Sequence, residues 1–312
     1  MNNKKWVIIY NPVAGGGVSN KKWRKIKQYL SSKKIKGPVY KTTIHKNAGE
    51  LAYNAVKNGT SNIVCVGGDG TVHDLINGLC SQSEIKMNSV SIGIIPVGTG
   101  NDWARHYGLT GGYKKAVDII AQGNKKSQDL GVMEVVGKKT QTVYFMNYAG
   151  VGFDGYVISK IKKYKFMGAL SYLVAAVFNF ISFSNFELSL IYNNKTINTS
   201  AFMLGVGLCK FTGGGMRLAY NAVPDDGLLD ITIAENFTKL DVLKHIPKLF
   251  NGNLFKSRKV STAKTNDIKV NIVKGGNFAQ ADGELIYGGS FSFKISEKQF
   301  CFFSIKRKIQ SS

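Results

Sequence analysis

Glycines and polar residues follow apolar runs at three places in this chain, an arrangement suited to holding a phosphate. In the middle one, Ile63-Val64-Cys65-Val66 runs into Gly67-Gly68-Asp69-Gly70-Thr71, and Val72, Leu75, Ile76 and Leu79 follow at helical spacing. A buried strand that ends in glycines and restarts as a helix presents a tight turn lined with amide N–H groups, and the helix start favours an anion. The glycines allow close backbone approach, Thr71 can cap the helix, and Asp69 is the one charge placed for a metal or a reacting phosphoryl group. Taken alone, the Asp-Gly pair equally describes a hairpin turn. Val7 to Tyr10 ends likewise in Asn11-Pro12-Val13-Ala14-Gly15-Gly16-Gly17, and Val90 to Ile95 in Pro96-Val97-Gly98-Thr99-Gly100-Asn101-Asp102. Ligands sit beyond the carboxyl ends of parallel strands, so the three loops are expected to share one crevice. Asp102 stands at a helix start, where it either stabilises the helix through its dipole or, beside a polyphosphate, acts through Mg²⁺.

A second pair of acids, Asp282 and Glu284, is two positions apart. On an extended segment both side chains share one face, and paired carboxylates can supply a base for an alcohol; a surface turn is the alternative. The chain has no Gly-x-x-x-x-Gly-Lys-Ser/Thr and no Gly-x-Gly-x-x-Gly at its first strand-to-helix turn, which argues against P-loop and Rossmann sites. His-Glu-x-x-His and Gly-x-Ser-x-Gly are absent as well, and the cysteines at 65, 80, 209 and 301 have neither metal nor disulfide spacing. Reduced core thiols fit better. Glycine loops with isolated carboxylates are the equipment of Mg²⁺-dependent phosphoryl transfer.

The elements that must position these groups follow from periodicity. Strands at Val7 to Tyr10, Val39 to Thr43, 63–66 and Val90 to Ile95 alternate with helices at Lys21 to Leu30, Asn47 to Lys57, the segment after Thr71, Trp103 to Tyr107 and Tyr113 to Ala121. That alternation gives a doubly wound α/β domain over residues 1–128. From 129 to 298 the pattern becomes short alternating segments, including Leu130 to Val136, Gln141 to Ala149, Phe186 to Tyr192, Thr196 to Val206 and Ser290 to Ile295. These read as a mostly antiparallel β-sandwich. A helical insert over 158–183 interrupts it, Leu240 to Phe250 is a further helix, and the tail, 299–312, is expected to pack back on the first domain.

The 312 residues carry 42 basic and 19 acidic side chains, so the net charge is 42 − 19 = +23. Such an excess attracts nucleic acid or an anionic membrane face. No base-reading module occurs, so no nucleic-acid partner is expected. In the insert, Lys160, Lys162, Lys163 and Lys165 precede an apolar run from Phe166 to Phe183 that is broken by Ser171, Asn179 and Ser182. β segments of one domain lie on both sides, which excludes a span and leaves a buried helix or a lipid-facing helix with a basic collar. The basic then apolar start, Met1 to Tyr10, reads as a first strand rather than a signal peptide.

Asn11-Pro12 with Gly15-Gly16, Gly67 to Thr71, Pro96 to Asp102, Gly150-Val151-Gly152-Phe153-Asp154, Gly213-Gly214-Gly215 with Pro224-Asp225-Asp226-Gly227, and Asp282-Gly283-Glu284 occur in that order. Together they resemble the soluble bacterial diacylglycerol kinase family, whose catalytic domain is similar to those of sphingosine and ceramide kinases. The resemblance implies a first domain like those of NAD kinases and phosphofructokinases, with ATP bound by Asn11, Pro12, Val13, Ala14, Gly15, Thr42, Gly67, Gly68, Asp69, Gly70, Thr71, Val72, His73, Gly98 and Thr99. His73-Asp74 departs from the Asn-Glu of many relatives. Asp129 would extend a magnesium and water network with Asp69 and Asp102, and Asp226 would hold a structural Mg²⁺ with backbone oxygens of Val223 and Leu228. Either Asp282 or Glu284 would be the base. The implied activity is ATP- and Mg²⁺-dependent phosphorylation of a membrane lipid hydroxyl, diacylglycerol first, with a sphingoid base or ceramide next and a soluble NAD-kinase-like metabolite third. The implied place is cytoplasmic, on the anionic inner face of the cell membrane, and a homodimer is compatible with it.

Overall fold

The computed structural model describes residues 5–136, 140–161, 174 and 177–306. The chain forms two compact units, one running to Gln128 and resuming at Lys298, the other from Asp129 to Glu297.

In the first unit, β1 (Trp6–Tyr10), β2 (Val39–Lys41), β3 (Asn62–Gly67) and β4 (Ser91–Pro96) lie in the order β4-β3-β1-β2, all parallel. Every residue of β3 is buried, as a central strand covered by helices on both faces requires. The helices are α1 (Val18–Ser32), α2 (Ala48–Lys57), α3 (Asp69–Cys80), α4 (Asp102–His106) and α5 (Gly112–Gln122). A core of Ile8, Ile26, Leu30, Val64, Val66, Ile95, Val117 and Ile120 joins sheet to helices. The returning chain adds Phe302 beside Ile92, parallel to β4. There the rings of Phe300 and Phe302 lie 5.4 and 4.8 Å from buried Trp103, whose Nε1–H donates to Gln128 at 2.7 Å. A buried indole with its one donor satisfied anchors α4.

The second unit is antiparallel. Its strands are β5 (Lys125–Val136, beginning in the first unit), β6 (Gln141–Phe145), β7 (Tyr148–Gly152), β8 (Phe186–Tyr192), β9 (Lys195–Gly207), β10 (Leu229–Glu235), β11 (Val260–Thr265), β12 (Asp267–Lys274), β13 (Phe278–Ala281), β14 (Glu284–Tyr287) and β15 (Ser290–Phe303, ending in the first unit). The first half of β9 pairs with β8; its second half pairs with β7 on one side and β10 on the other. β9 thus links the β8 part and the β7 and β10 part of one continuous sheet, and the core of this unit buries Phe186, Leu188, Leu204, Val206, Ile231, Phe291 and Phe293. The fold class is the one expected: a doubly wound α/β domain plus a mostly antiparallel sandwich.

Several elements differ from the sequence reading. The expected strand from Gln141 to Ala149 is two strands, because the N–H groups of Met146, Asn147 and Tyr148 turn away to a carboxylate. The helix after Leu240 is broken by Pro247 into α7 (Lys239–His245) and α8 (Lys248–Asn251). α6 (Phe153–Ile161) starts before the expected insert. Most of that insert, 162–173 with 175 and 176, and the end of the expected tail from 307 lie outside the described residues. Among the described residues no helix is long and apolar enough to cross a membrane.

Candidate active site

The loops after β1, β3 and β4 touch one another through main chain. Asn11 N–H donates to Val66 O at 2.9 Å and its Nδ2 to Thr71 Oγ1 at 3.0 Å, tying the first loop to the second. A Cβ on Gly15 would sit 2.2 Å from Val97 O, so the first loop also reaches the third. Gly68 and Gly98 are almost as tightly opposed: a Cβ on Gly98 would lie 2.4 Å from Gly68 Cα. Asn101, in the left-handed region at φ 51°, clamps the third loop by accepting from Gly98 N–H at 3.1 Å and donating to Gly98 O at 2.8 Å. The strand order reverses between β1 and β3, which is where doubly wound sheets bind their ligands.

Asp69 and Asp102 converge at Gly100. A Cβ there would lie 3.3 Å from Asp69 Oδ2 and 3.5 Å from Asp102 Oδ2. Asp69 Oδ2 accepts from Asp102 N–H at 3.1 Å and Oδ1 from Trp103 N–H at 3.4 Å, so Asp69 caps α4 from outside, where Asn101 offers no side-chain cap. Asp102 is buried, and Arg105 Nε stands 3.7 Å from its Oδ1. Two carboxylates beside a glycine fit Mg²⁺, which is held through one or two carboxylates plus phosphate oxygens and water. Among the described residues no set of three acidic, histidine or cysteine side chains forms a complete protein cage.

Alanine at two of these glycines is expected to act in opposite ways. Gly98→Ala forces backbone apart and should lower stability in urea unfolding by about 2–3 kcal/mol. Gly100→Ala meets only side-chain oxygens and should fold nearly as well. It should still raise the Mg²⁺ concentration needed for half-maximal activity, because the methyl group enters the space the carboxylates share.

A cavity of about 530 Å³ opens beside the first loop, lined by Asn11, Pro12, Val13, Thr42, His45 and Asp74. Thr42 N–H extends the sheet by donating to Tyr10 O at 3.0 Å. Its rim includes the side chains of Val13 and Ile44, 74% and 99% exposed, apolar surface that a planar base could cover. Lys41 and Asp74 also line it; sequence reasoning did not single them out for binding, and only their places at a strand end and one turn into α3 could have signalled them. Thr71, Val72 and His73 are buried in α3, and His73 faces Asn77, with Nε2 3.3 Å from Asn77 Nδ2. Their side chains serve the helix, which leaves only main chain for a ligand. Gly67 is buried against Thr71, whereas Gly68, Gly70 and Gly98 are half-buried and Thr99 is exposed.

In the second unit the acid pair is not on one extended face. Asp282 and Gly283 have φ of 49° and 91° and form the two-residue turn of the β13–β14 hairpin, with Ala281 opposite Glu284. A turn with both central residues left-handed suits hairpin twist, which is why Asp-Gly occupies it. Asp282 Oδ2 accepts from Met146 N–H at 2.9 Å, and Oδ1 from Asn147 and Tyr148 N–H at 3.0 and 3.1 Å. Asp282 N–H returns a bond to Tyr148 O at 2.9 Å. Glu284 is left exposed at the start of β14. One acid fastens the turn, and the other is available for chemistry.

Gln280 supports the turn from beneath. Its Oε1 accepts from Gly283 N–H at 2.9 Å while its Nε2 donates to Asp154 Oδ2 at 3.1 Å. Burial pushes the Asp154 carboxyl from 3.8 up to about 6, against the hydrogen bonds from Gln280 and Gly155. A raised folded value favours the protonated group in the fold. Its contribution is therefore complete below about pH 4 and is lost as pH rises through about 6. The gap between 3.8 and about 6 corresponds to about 3 kcal/mol. The unfolding free energy of Asp154→Asn relative to the parent should thus improve by that order between pH 4 and pH 7.5, in urea titrations at both values.

Asp129 opens the second unit, with Oδ2 accepting from Gly227 N–H at 2.8 Å and its own N–H donating to Pro224 O at 2.8 Å. It is buried and bound to the 224–227 turn. In that turn Asp226 Oδ1 accepts from Leu228 N–H at 3.1 Å, and Oδ2 lies 2.7 Å from Lys264 Nζ, which also stands 3.3 Å from Asp230. A Mg²⁺ held by Asp226 with the backbone oxygens of Val223 and Leu228 would have to share Asp226 with the Lys264 ammonium. Lys264 lies on β11, a strand the sequence reading missed, so nothing pointed to it. Burial pushes the thiols of Cys65 and Cys80 up to about 12, which leaves both inert in the core.

A family model for the diacylglycerol kinase catalytic domain matches residues 5–133, and one for the YegS C-terminal NAD kinase beta sandwich-like domain matches 147–296. The diacylglycerol kinase of Bacillus subtilis is 28% identical over 289 residues, covering 90% of this chain and 89% of that protein. That of Mycobacterium tuberculosis is 30% identical over 241 residues, 75% of each. A Bacillus anthracis diacylglycerol kinase crystal structure superposes with a TM-score of 0.72 at 20% identity, over 98% of both chains. An Archaeoglobus fulgidus NAD kinase solved with ATP gives 0.52 at 14% identity, over 96% of this chain and 93% of that one; these two likenesses concern the fold. With both domains matched in order, the chain belongs to the diacylglycerol and lipid kinase family.

Proposed function

We propose that the protein transfers the γ-phosphate of ATP to a hydroxyl of a membrane lipid, diacylglycerol being the first acceptor to test and a sphingoid base or ceramide the next. The observation that carries the reading is the mutual contact of the three strand-end loops, with Asp69 and Asp102 converging on Gly100. Glycine amides and the start of α3 bind and orient the phosphates. Asp69 and Asp102 would hold Mg²⁺, which supplies charge neutralisation to the phosphate oxygens. Glu284 takes the proton of the lipid hydroxyl, whose oxygen forms a bond to the γ-phosphorus as the bond from that phosphorus to the β–γ bridging oxygen breaks; ADP leaves. Asp282 and Gln280 keep Glu284 in place. Asp129 acts through the 224–227 turn.

The net charge of +23 and the lysines at 160, 162, 163 and 165 support docking of the protein on the anionic inner face of the cell membrane from the cytoplasm. The deciding experiment supplies ATP labelled in the γ-phosphate, with Mg²⁺, to dioleoylglycerol, sphingosine, ceramide and NAD. Label in phosphatidic acid, abolished by chelating the metal, supports the reading. Label only in the NAD product sinks it and leaves a soluble metabolite kinase.

A further inference from the structure

Two hydrogen bonds join Asp154, buried at the start of α6, to the residue that precedes Glu284. Asp154 Oδ2 accepts from Gln280 Nε2 at 3.1 Å, and Gln280 Oε1 accepts from Gly283 N–H at 2.9 Å. Asp154 and Gln280 are 1% and 4% exposed, so the relay is shielded from solvent along its length. The carboxyl has no room to turn aside: a Cβ on Gly150 would lie 1.9 Å from its Oδ2, and one on Gly155 would lie 2.6 Å from Ala279 N on β13. Its Oδ1 accepts from Gly155 N–H at 2.9 Å. Both oxygens therefore face donors, which suits the ionised carboxylate. A proton added to Oδ2 needs an acceptor in place of the Gln280 NH₂ group. The amide supplies one by turning over, which keeps its shape and presents Oε1 to the acid. Its Nε2 then meets Gly283 N–H, donor against donor, and the bond that ties the turn is lost.

The elements packed on α6 bring few ionisable groups. β13 carries none, β7 carries Tyr148, β14 carries Glu284 and Tyr287, β9 carries Lys195, and α6 itself carries Tyr156 and Lys160. None of these acts on the Asp154 carboxyl, which burial pushes up to about 6 against its hydrogen bonds. The group thus changes charge within the range in which enzymes work, and the change falls on one amide. We propose that Asp154 is a positioning residue for the base: its ionised form holds the Gln280 amide in the orientation that fastens Gly283 and so aims Glu284, and its protonation releases the turn. The link to Glu284 as base rests on the lipid-kinase reading; the relay from Asp154 through Gln280 to Gly283 does not.

The test exchanges acid and amide atom for atom. Phosphorylation of dioleoylglycerol is followed from about pH 5.5 to about pH 8, with melting curves to show that each variant is folded. In the parent, kcat should fall about tenfold as pH drops through about 6, the worth of one hydrogen bond. Asp154→Asn imitates the protonated acid, so it should hold the low rate throughout with no inflection near 6. Gln280→Glu places two carboxylates face to face; they share one proton in acid and repel when it leaves, so its kcat should fall as pH rises, opposite in sign to the parent. The exchanged pair, Asp154→Asn with Gln280→Glu, has an amide donating to a carboxylate that still accepts from Gly283 N–H, and should recover the parent's rate at neutral pH to within about threefold. A folded Asp154→Asn with the parent's rate and inflection, or an exchanged pair no faster than Asp154→Asn alone, overturns the proposal. NMR of the parent, isotope-labelled in glycine and in the glutamine side chain, gives a second readout. The Gln280 amide, assigned by its loss in Gln280→Glu, and the Gly283 N–H should shift together with a midpoint near 6. A Gln280 amide that titrates while Gly283 stays fixed overturns the relay whatever the variants do. Joint titration with no lipid phosphorylated at any pH supports the relay and sinks the lipid-kinase reading instead.

Discussion

Glu284→Gln should lower kcat for lipid phosphorylation by about 10²- to 10⁴-fold, the usual worth of a positioned general base, with KM for ATP and the melting temperature nearly unchanged. The expectation follows from the division of labour at the hairpin. Glu284 is exposed and is not among the groups fastened to the 146–148 loop, whereas both oxygens of Asp282 are engaged by three main-chain N–H groups. Asp282→Asn should behave in a different way. Its amide NH₂ must face a backbone N–H that had an acceptor, and a donor left unpaired costs about 1–3 kcal/mol. Stability should fall by that amount in urea titrations, and activity should fall with it because the turn carrying Glu284 loosens. Raising pH separates the two carboxylates further: residual activity of Glu284→Gln should rise with hydroxide concentration, since solvent must then take the proton, while Asp282→Asn should keep the pH profile of the parent. A dead but fully stable Asp282→Asn beside an active Glu284→Gln would reverse the assignment.

The difference between these two acids was not readable from sequence, and the reason is conformational. Spacing of two implies a shared face only if the segment is extended, and Asp-Gly instead adopts the left-handed turn at 282 and 283. What pins Asp282 is a loop 135 residues away, at Asn147, and no local pattern reports a contact of that range. The first unit was far more legible. Strands β1, β3 and β4 are buried almost throughout, so they appear as unbroken apolar runs, and each leads into glycines because the loops after them meet through backbone. Gly68 and Gly98 show the same logic at atomic scale, since neither tolerates a side chain for steric reasons that composition already suggests. Lys264 marks the opposite limit. A single lysine on a short alternating strand looks like any solvated charge, yet it pairs with Asp226, the side chain expected to hold a divalent ion.

Asp69→Asn tests whether the central glycine loop works through a cation or only shapes the fold. The structural contribution of Asp69 is modest: its oxygens accept from the N–H groups of Asp102 and Trp103 at the start of α4, bonds of 3.1 and 3.4 Å. Asparagine retains an acceptor there, so the loss in stability should be about 1 kcal/mol, the usual worth of a cap. If that were its whole role, kcat would change little and the Mg²⁺ requirement not at all. The convergence of Asp69 with Asp102 at Gly100 requires more. A carboxylate beside a polyphosphate repels it, so removing the charge should leave ATP binding in a chelator equal or tighter than in the parent, as isothermal titration would show. With Mg²⁺ present the sign reverses, because the lost charge had offset the metal. Half-maximal activation should then need about tenfold more Mg²⁺, and kcat at saturating metal should fall on the order of 10³-fold, within the range seen when one group stabilising transition-state charge is removed. Weaker binding in chelator together with an unchanged Mg²⁺ midpoint would make Asp69 a helix cap and move the metal to Asp102 alone.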